Sequence, residues 1–214
     1  YLNFAEGLPA AVLAAQFYAN SQEELAERAH DLARRFEGQP GVLDVRLRLS
    51  AADKDDFWKV RKAGFSLLMA MVGDAKPVAF VEDTAVAPDR LPEFYDRFRQ
   101  IVARQGVEAA CYGHADVGCL HIRPILNVKK EEGVASLREI AREVSDLVVE
   151  FGGAMSGEHG DGLARSVWNA KLFGPEVFSC FETVKRAFDP MNLLNPGKVV
   201  AAPDPGDNLR IGPD

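Results

Sequence analysis

Residues 108–128 read EAACYGHADVGCLHIRPILNV, and how this stretch turns decides the fold. Gly113, Gly118 and Pro124 make a continuous helix a poor reading. The flanks EAACYGH and CLHIRPILNV instead predict two strands joined by a short loop. On one unbroken strand His114 and His121, seven apart, would point to opposite faces. A hairpin turning about Val117–Gly118 removes that conflict and sets the two imidazoles across from each other. Cross-strand partners have Cβ atoms roughly 4.5–5.5 Å apart. At that spacing two imidazoles can share one metal ion, which needs their nitrogens about 2.0–2.1 Å away. Spacing alone leaves a plainer reading open, in which both are ordinary polar residues beside a glycine turn.

Working outward, the chain alternates between helical and extended patterns. AVLAAQFYA (11–19) is a short apolar run and predicts a buried strand. Ser21 with Glu24 forms a capping box ahead of a helix whose inner face carries Leu25, Ala29, Leu32, Ala33 and Phe36, stopped by Gly38. VLDVRLRL (42–49) alternates apolar and charged residues, as a half-buried strand does. Ser50 and Asp53 open a second helix through DDFWKVRKAGFSLLMAM. PVAFVEDTAV (77–86) predicts a strand, and Pro88 starts a helix carrying Leu91, Phe94, Tyr95, Phe98 and Ile101. Beyond the hairpin, a long helix turns Val134, Leu137, Ile140, Val144, Leu147 and Phe151 inward, and another runs from Pro175 to about Phe188. One-sided alternation in the strands predicts an α+β fold, a largely antiparallel sheet with helices packed on one face in a ferredoxin-like arrangement. Residues 1–200 read as one domain and 201–214, AAPDPGDNLRIGPD, as a flexible tail or linker.

Composition narrows the function classes. A net charge of −7 over 214 residues argues against nucleic acid or an anionic membrane as the main partner, since both need a basic face. Three cysteines, Cys111, Cys119 and Cys180, form neither an even disulfide framework nor a short metal spacing, which fits a reducing cytoplasm. The longest apolar run, LPAAVLAAQFYA, is too short to cross a bilayer. YLNFAEGLPAAVL has no initiator Met and predicts a piece excised from a longer chain. No GxGxxG follows a strand and no Walker-type loop is present, so the expectation is that any nucleotide site lies elsewhere.

A second glycine cluster, GGAMSGEHGDG (152–162), supplies Glu158 and His159. Glu158 offers a third, oxygen ligand to the histidine pair, and two imidazoles with one carboxylate and an open position mark catalytic rather than structural metal sites. His159, projecting differently from its neighbour, is then available as a base. Arg123, two residues past His121, shares its strand face and is a candidate for an anionic substrate; Arg165 is a further one. Two other functions suit the same residues, a metal-dependent hydrolase and a non-catalytic ligand-binding module.

Taken together, YGHADVGCLHIRPILN, GGAMSGEHGDG and DPMNLLNPGKVV resemble, in order and spacing, the C-terminal part of FAD-linked oxidases of the vanillyl-alcohol oxidase type. These include D-lactate dehydrogenase, D-2-hydroxyglutarate dehydrogenase and the flavin subunit of glycolate oxidase. The family's first motif reads GHxGDGNxH. Gly113, His114, Gly118 and His121 match it; Asp116, Val117 and Cys119 stand where Gly, Asp and Asn are usual. The resemblance implies a divalent metal, zinc or manganese, on His114, His121 and Glu158, with His159 as acid/base. It implies that Arg61, in FWKVRKAG, grips a substrate carboxylate and that Asn195, in LNPGK, lies near the flavin. A basic residue that the family places in the following strand is missing: Val81 falls near its position, and Glu82 and Asp83 follow. The implied reaction is flavin-dependent oxidation of a D-2-hydroxy acid to a 2-oxo acid. FAD would be held by an N-terminal domain of the same chain, and ADVGCLHIRP is similar to larger members that add an iron–sulfur domain as electron acceptor. The implied setting is cytoplasmic or peripheral to the inner face of a membrane.

Overall fold

The computed structural model describes residues 9–207 and 209–213; residues 1–8, where YLNFAEGLPAAVL begins, together with Asn208 and Asp214 of the tail, lie outside it. The chain divides into two compact units, Tyr1–Leu67 and Leu68–Asp214.

In the first unit, α1 (Gln22–Phe36) starts at the capping box: the Glu24 N–H donates to Ser21 Oγ at 3.1 Å, and the Glu24 carboxylate accepts from the Asn20 N–H at 3.4 Å. Helix α2 (Ala51–Met69) opens the same way, the Asp53 N–H donating to Ser50 Oγ at 3.1 Å. The two strands expected at 11–19 and 42–49 do not form; both stretches are irregular. Alternation becomes a strand only when a neighbour takes its N–H and C=O groups. Neither stretch has a ladder partner among the described residues, and Leu13 and Leu43 stay largely exposed.

The second unit is built on a small antiparallel sheet. Strand β4 (Cys119–Leu126) runs down its middle, with β3 (Ala109–His114) along one edge and β1 (Lys76–Pro77) and β2 (Thr84–Ala85) end to end along the other. The expected strand PVAFVEDTAV is therefore interrupted. The cause is on β4: the Pro124 carbonyl accepts from the Val78 N–H at 2.9 Å, so the proline's ring nitrogen, which has no hydrogen, faces this same edge. Opposite the missing donor the edge strand bulges, and it rejoins the ladder only where the Asp83 N–H donates to the Leu120 carbonyl at 2.8 Å. At the bulge Asp83 takes φ +73°, a left-handed conformation that aspartate tolerates better than most residues.

Alternate residues of β4 serve two purposes. Leu120, Ile122 and Leu126 join a core with Phe94 and Phe98 of α3 (Leu91–Arg104) and Leu137, Ile140, Val144 and Val148 of α4 (Glu131–Glu150). Every inward residue expected of the long helix, from Val134 to Phe151, is buried. The short α5 (Gly162–Arg165) and then α6 (Asn169–Phe188) follow. In α6, Gly174 (φ +78°) breaks the helix just before Pro175, where the expected helix starts. The class is α+β, as the pattern of elements predicts. In the terminal segment, Arg138 pairs with Asp204 at 2.6 Å and Asp207 at 3.2 Å, and Leu209 packs against the core. Among the described residues no helix is long and apolar enough to cross a membrane.

Candidate functional site

The other face of the sheet carries the chemistry. The hairpin pairs His114 with Cys119 and Tyr112 with His121, so the two histidines are diagonal neighbours rather than direct partners. The loop is Ala115–Gly118, not a turn centred on 117–118. Ala115–Val117 makes one 3₁₀ turn and Gly118 closes it at φ +69°, where a Cβ would lie 1.8 Å from the Val86 carbonyl oxygen. Diagonal neighbours on one face remain within reach of aromatic side chains, and the His114 and His121 rings meet edge to face at 5.4 Å. Tyr112 lies over His121 at 4.8 Å.

Glu158 and His159 arrive on a loop stitched to the bulge. Ala85 and Ala154 exchange backbone hydrogen bonds at 3.0 and 2.9 Å, and the Gly157 N–H donates to the Asp83 carbonyl at 2.7 Å. The Asp83 carboxylate, fully buried, then accepts from Ser156 Oγ at 2.6 Å and from the N–H groups of Glu158 at 3.0 Å and His159 at 2.9 Å. Burial acts to raise the Asp83 pKa; the bonds from Ser156, His159 and Glu158 outweigh it and hold the carboxyl below its ordinary value. Arg165, also buried, clamps the loop from the other side, donating to the Glu82 carbonyl at 3.1 Å and the Gly160 carbonyl at 2.5 Å.

These constraints converge three imidazoles on one carboxylate. Glu158 Oε1 lies 3.8 Å from His114 Nε2; its Oε2 lies 3.8 Å from His121 Nε2 and 3.9 Å from His159 Nε2. His121 is the floor, 3% exposed, whereas the side chains of His114, Glu158 and His159 are each near 45% exposed and form the mouth. The His159 ring stacks on His121 at 5.2 Å and 14°. Burial pushes the His121 imidazole below its ordinary pKa, against the pull of the Glu82 and Glu158 carboxylates. A neutral imidazole keeps a ring lone pair for a ligand.

The donor set suits a divalent ion. One donor atom from each of His114, His121 and Glu158 lies within 4.8 Å of the others, and tetrahedral coordination at the usual bond lengths needs donors about 3.3 Å apart. Side-chain shifts of under about an ångström close that gap. Two other trios of potential ligands cluster there, Asp83–Cys119–His121 and Asp83–Glu158–His159. In both, Asp83 is already committed to its donors. Cys119 is a poor ligand as well: burial first, and the Asp83 carboxylate that its thiol faces at 3.5 Å, push it up to about 12, far from the thiolate that metals take.

Of the other residues the sequence singles out, Arg123 does share the face of His121, and its guanidinium lies 2.5 Å from the buried Glu82 carboxylate. Arg61 belongs to the first unit, half-buried on α2. Asn195 is exposed in a turn at φ +48°. Beside Glu158 a cleft of about 240 Å³ is lined by residues 153–157, Leu172 and Phe173. That is below the ~300–1,000 Å³ of pockets for drug-sized ligands and of a scale for a small organic acid. Glu82 and Asp83, which the sequence pattern places after Val81 without a role, are the site residues it leaves unassigned. The signal was there: two adjacent acids inside an apolar run must be paired if the run is buried.

The profile of the family described as "FAD linked oxidases, C-terminal domain" matches residues 5–199. A D-2-hydroxyglutarate dehydrogenase of Haemophilus influenzae is 33% identical over 199 residues, covering 91% of this chain and 19% of the relative. A D-lactate dehydrogenase of Archaeoglobus fulgidus is 36% identical over 160 residues, 75% of this chain and 34% of the relative. The glycolate oxidase subunit GlcD of Escherichia coli is 30% identical over 176 residues, 82% and 34% respectively. The chain thus spans about a fifth to a third of the length of these relatives.

Proposed function

We propose a function on the following premise: the chain belongs to the family of C-terminal domains of FAD-linked oxidases. On our reading, residues 1–200 are the substrate-binding part of a flavin-dependent dehydrogenase that oxidises a D-2-hydroxy acid to the 2-oxo acid. The partner is an FAD-binding domain N-terminal to it in the same polypeptide. The observation that carries this reading is the convergence of His114, His121 and His159 on Glu158 at an open mouth.

In this scheme His114, His121 and Glu158 hold a divalent ion, zinc or manganese. When bound, that ion supplies Lewis acidity to the substrate hydroxyl, and bound FAD supplies the hydride acceptor. The chain's own residues do the rest. His159 presents Nε2 to the mouth and accepts the hydroxyl proton there. The cleft lined by Leu172 and Phe173 takes the substrate's carbon skeleton. Of the three arginines that the sequence offers for the substrate carboxylate, Arg123 is paired with Glu82 and Arg165 holds the Glu82 and Gly160 carbonyls; Arg61 keeps the role that the resemblance gives it, a bidentate contact that fixes which face of the carbon is presented. Asn195 lies towards the flavin.

The test is an anaerobic substrate screen on the polypeptide that carries both this chain and the FAD-binding domain. D-2-hydroxyglutarate, D-lactate and glycolate are offered and flavin bleaching is followed. One of them bleaches the flavin, and His159→Ala slows the bleaching by ~10²- to 10⁴-fold, the usual contribution of a proton-transfer group. No bleaching by any 2-hydroxy acid, or unchanged bleaching in the variant, rejects the assignment.

A further inference from the structure

We infer that Glu82 is the positioning residue of His159, and that Arg123 serves this carboxylate rather than the substrate. The inference rests on the reading of His159 as proton acceptor. Glu82 sits on the bulge, 6% exposed, where an ionised carboxylate needs compensation. Arg123 supplies it at Oε2, 2.5 Å away, with only 10% of its own side chain exposed. The other oxygen, Oε1, faces His159 Nδ1 at 3.7 Å. The opposite ring nitrogen, Nε2, is the one turned into the mouth, 3.9 Å from Glu158 Oε2.

The backbone shows the same division of labour. Asp83, the next residue, holds the His159 N–H at 2.9 Å, while Arg165 holds the Glu82 carbonyl at 3.1 Å. One dipeptide therefore fixes the main chain of His159 and faces its ring. The ring lies nearly parallel to that of His121, which packs against one of its faces.

The chemistry follows from the inventory of a neutral imidazole, which has one N–H and one lone pair. His159 can accept at Nε2 only with its proton on Nδ1. A carboxylate beside Nδ1 favours that tautomer, as an orienting carboxylate does in other histidine-centred sites. When the substrate hydroxyl proton moves to Nε2, the imidazolium gains its positive charge opposite Glu82. No proton passes to Glu82, which stays a carboxylate throughout. The 3.7 Å separation is roughly half an ångström beyond hydrogen-bond reach, a gap of the kind that tightens once substrate is bound.

The competing account is that Glu82 and Arg123 are only a buried ion pair. On that account neutral amides of similar shape at both positions restore the protein, whereas on ours the activity stays down because the carboxylate is gone. The experiment uses the flavin-loaded polypeptide in anaerobic single turnovers with whichever 2-hydroxy acid reduces its flavin. The variants are Glu82→Gln, Glu82→Gln with Arg123→Gln, and His159→Ala. The single Glu82→Gln leaves Arg123 unpaired, so if it loses its fold the double variant carries the test. We expect the double variant to reduce flavin ~10- to 100-fold more slowly, with its half-saturation by substrate within about twofold of the parent and a larger solvent deuterium isotope effect. Parent-like reduction by the double variant beside a crippled His159→Ala variant sinks this inference alone. So does a defect confined to half-saturation. Parent-like reduction by His159→Ala sinks the proposed function and this inference with it.

Discussion

Replacing Asp83 by alanine removes one buried acceptor from four donors: the Cys119 thiol, the Ser156 hydroxyl, and the N–H groups of Glu158 and His159. Hydrogen bonds to a charged acceptor contribute about 1.5–3 kcal/mol each, and a buried donor left without one costs about 1–3 kcal/mol. The donors on 156–159 are only part-buried, so water takes over some of that loss, and the net expectation for Asp83→Ala is about 3–5 kcal/mol. The backbone adds a separable share. At φ +73° alanine is strained by about 1 kcal/mol where glycine is not. Asp83→Gly should therefore be less damaging than Asp83→Ala by that amount, yet still well below the parent. Urea titration followed by circular dichroism gives the stabilities, and hydrogen exchange reports protection at the amides of Glu158 and His159. Against a typical total of about 5–15 kcal/mol, both variants fold but marginally. A loss under about 1 kcal/mol for Asp83→Ala, or undiminished protection of those two amides, would refute the claim that this carboxylate holds the loop.

Gly118→Ala places a Cβ 1.8 Å from the Val86 carbonyl at φ +69°, and should cost about 3 kcal/mol by thermal or urea unfolding. On the proposed metal assignment, His121→Ala should weaken zinc or manganese retention by more than about 100-fold, beyond what loss of an outer-shell partner does, as read by metal analysis after dialysis. Asp189 accepts from the Leu193 and Leu194 N–H groups. Its bond from Lys185 first, and those two, hold its pKa down at about 2 from an ordinary 3.8. A depressed carboxyl contributes stability that is fully present above its unfolded pKa and lost as pH falls through the folded one. Asp189→Asn should thus lower Tm at pH 7, and the gap to the parent should close between about pH 4 and pH 2.

Much of this was legible in the sequence where one interaction dominates. The inward residues of α4, and Phe94, Phe98 and Ile101 of α3, follow from period alone because burial alone selects them. The hairpin's register was harder, since nothing in ADVG names its turn type and the turn sets the register. The expected pairing of 114 with 121 is off by two residues from the observed pairing of 112 with 121. A shift of two preserves the face of every side chain, whereas a shift of one would have inverted a strand. That is why the histidine cluster survives an error in its own derivation. That the acids at 82 and 83 need partners is legible locally, but which partners they take lay beyond local reasoning, for a different cause. Their run reads as a plain strand, and only Pro124 on a separate strand, withholding a donor from the shared edge, makes it bulge. The bulge turns one carboxylate to the backbone of 156–159 and the other to Arg123 and the His159 ring. The residues that bear the proposed chemistry could be named from their own motifs, but those that aim them are defined by a neighbour's missing hydrogen bond, which no spacing within VEDTAV encodes.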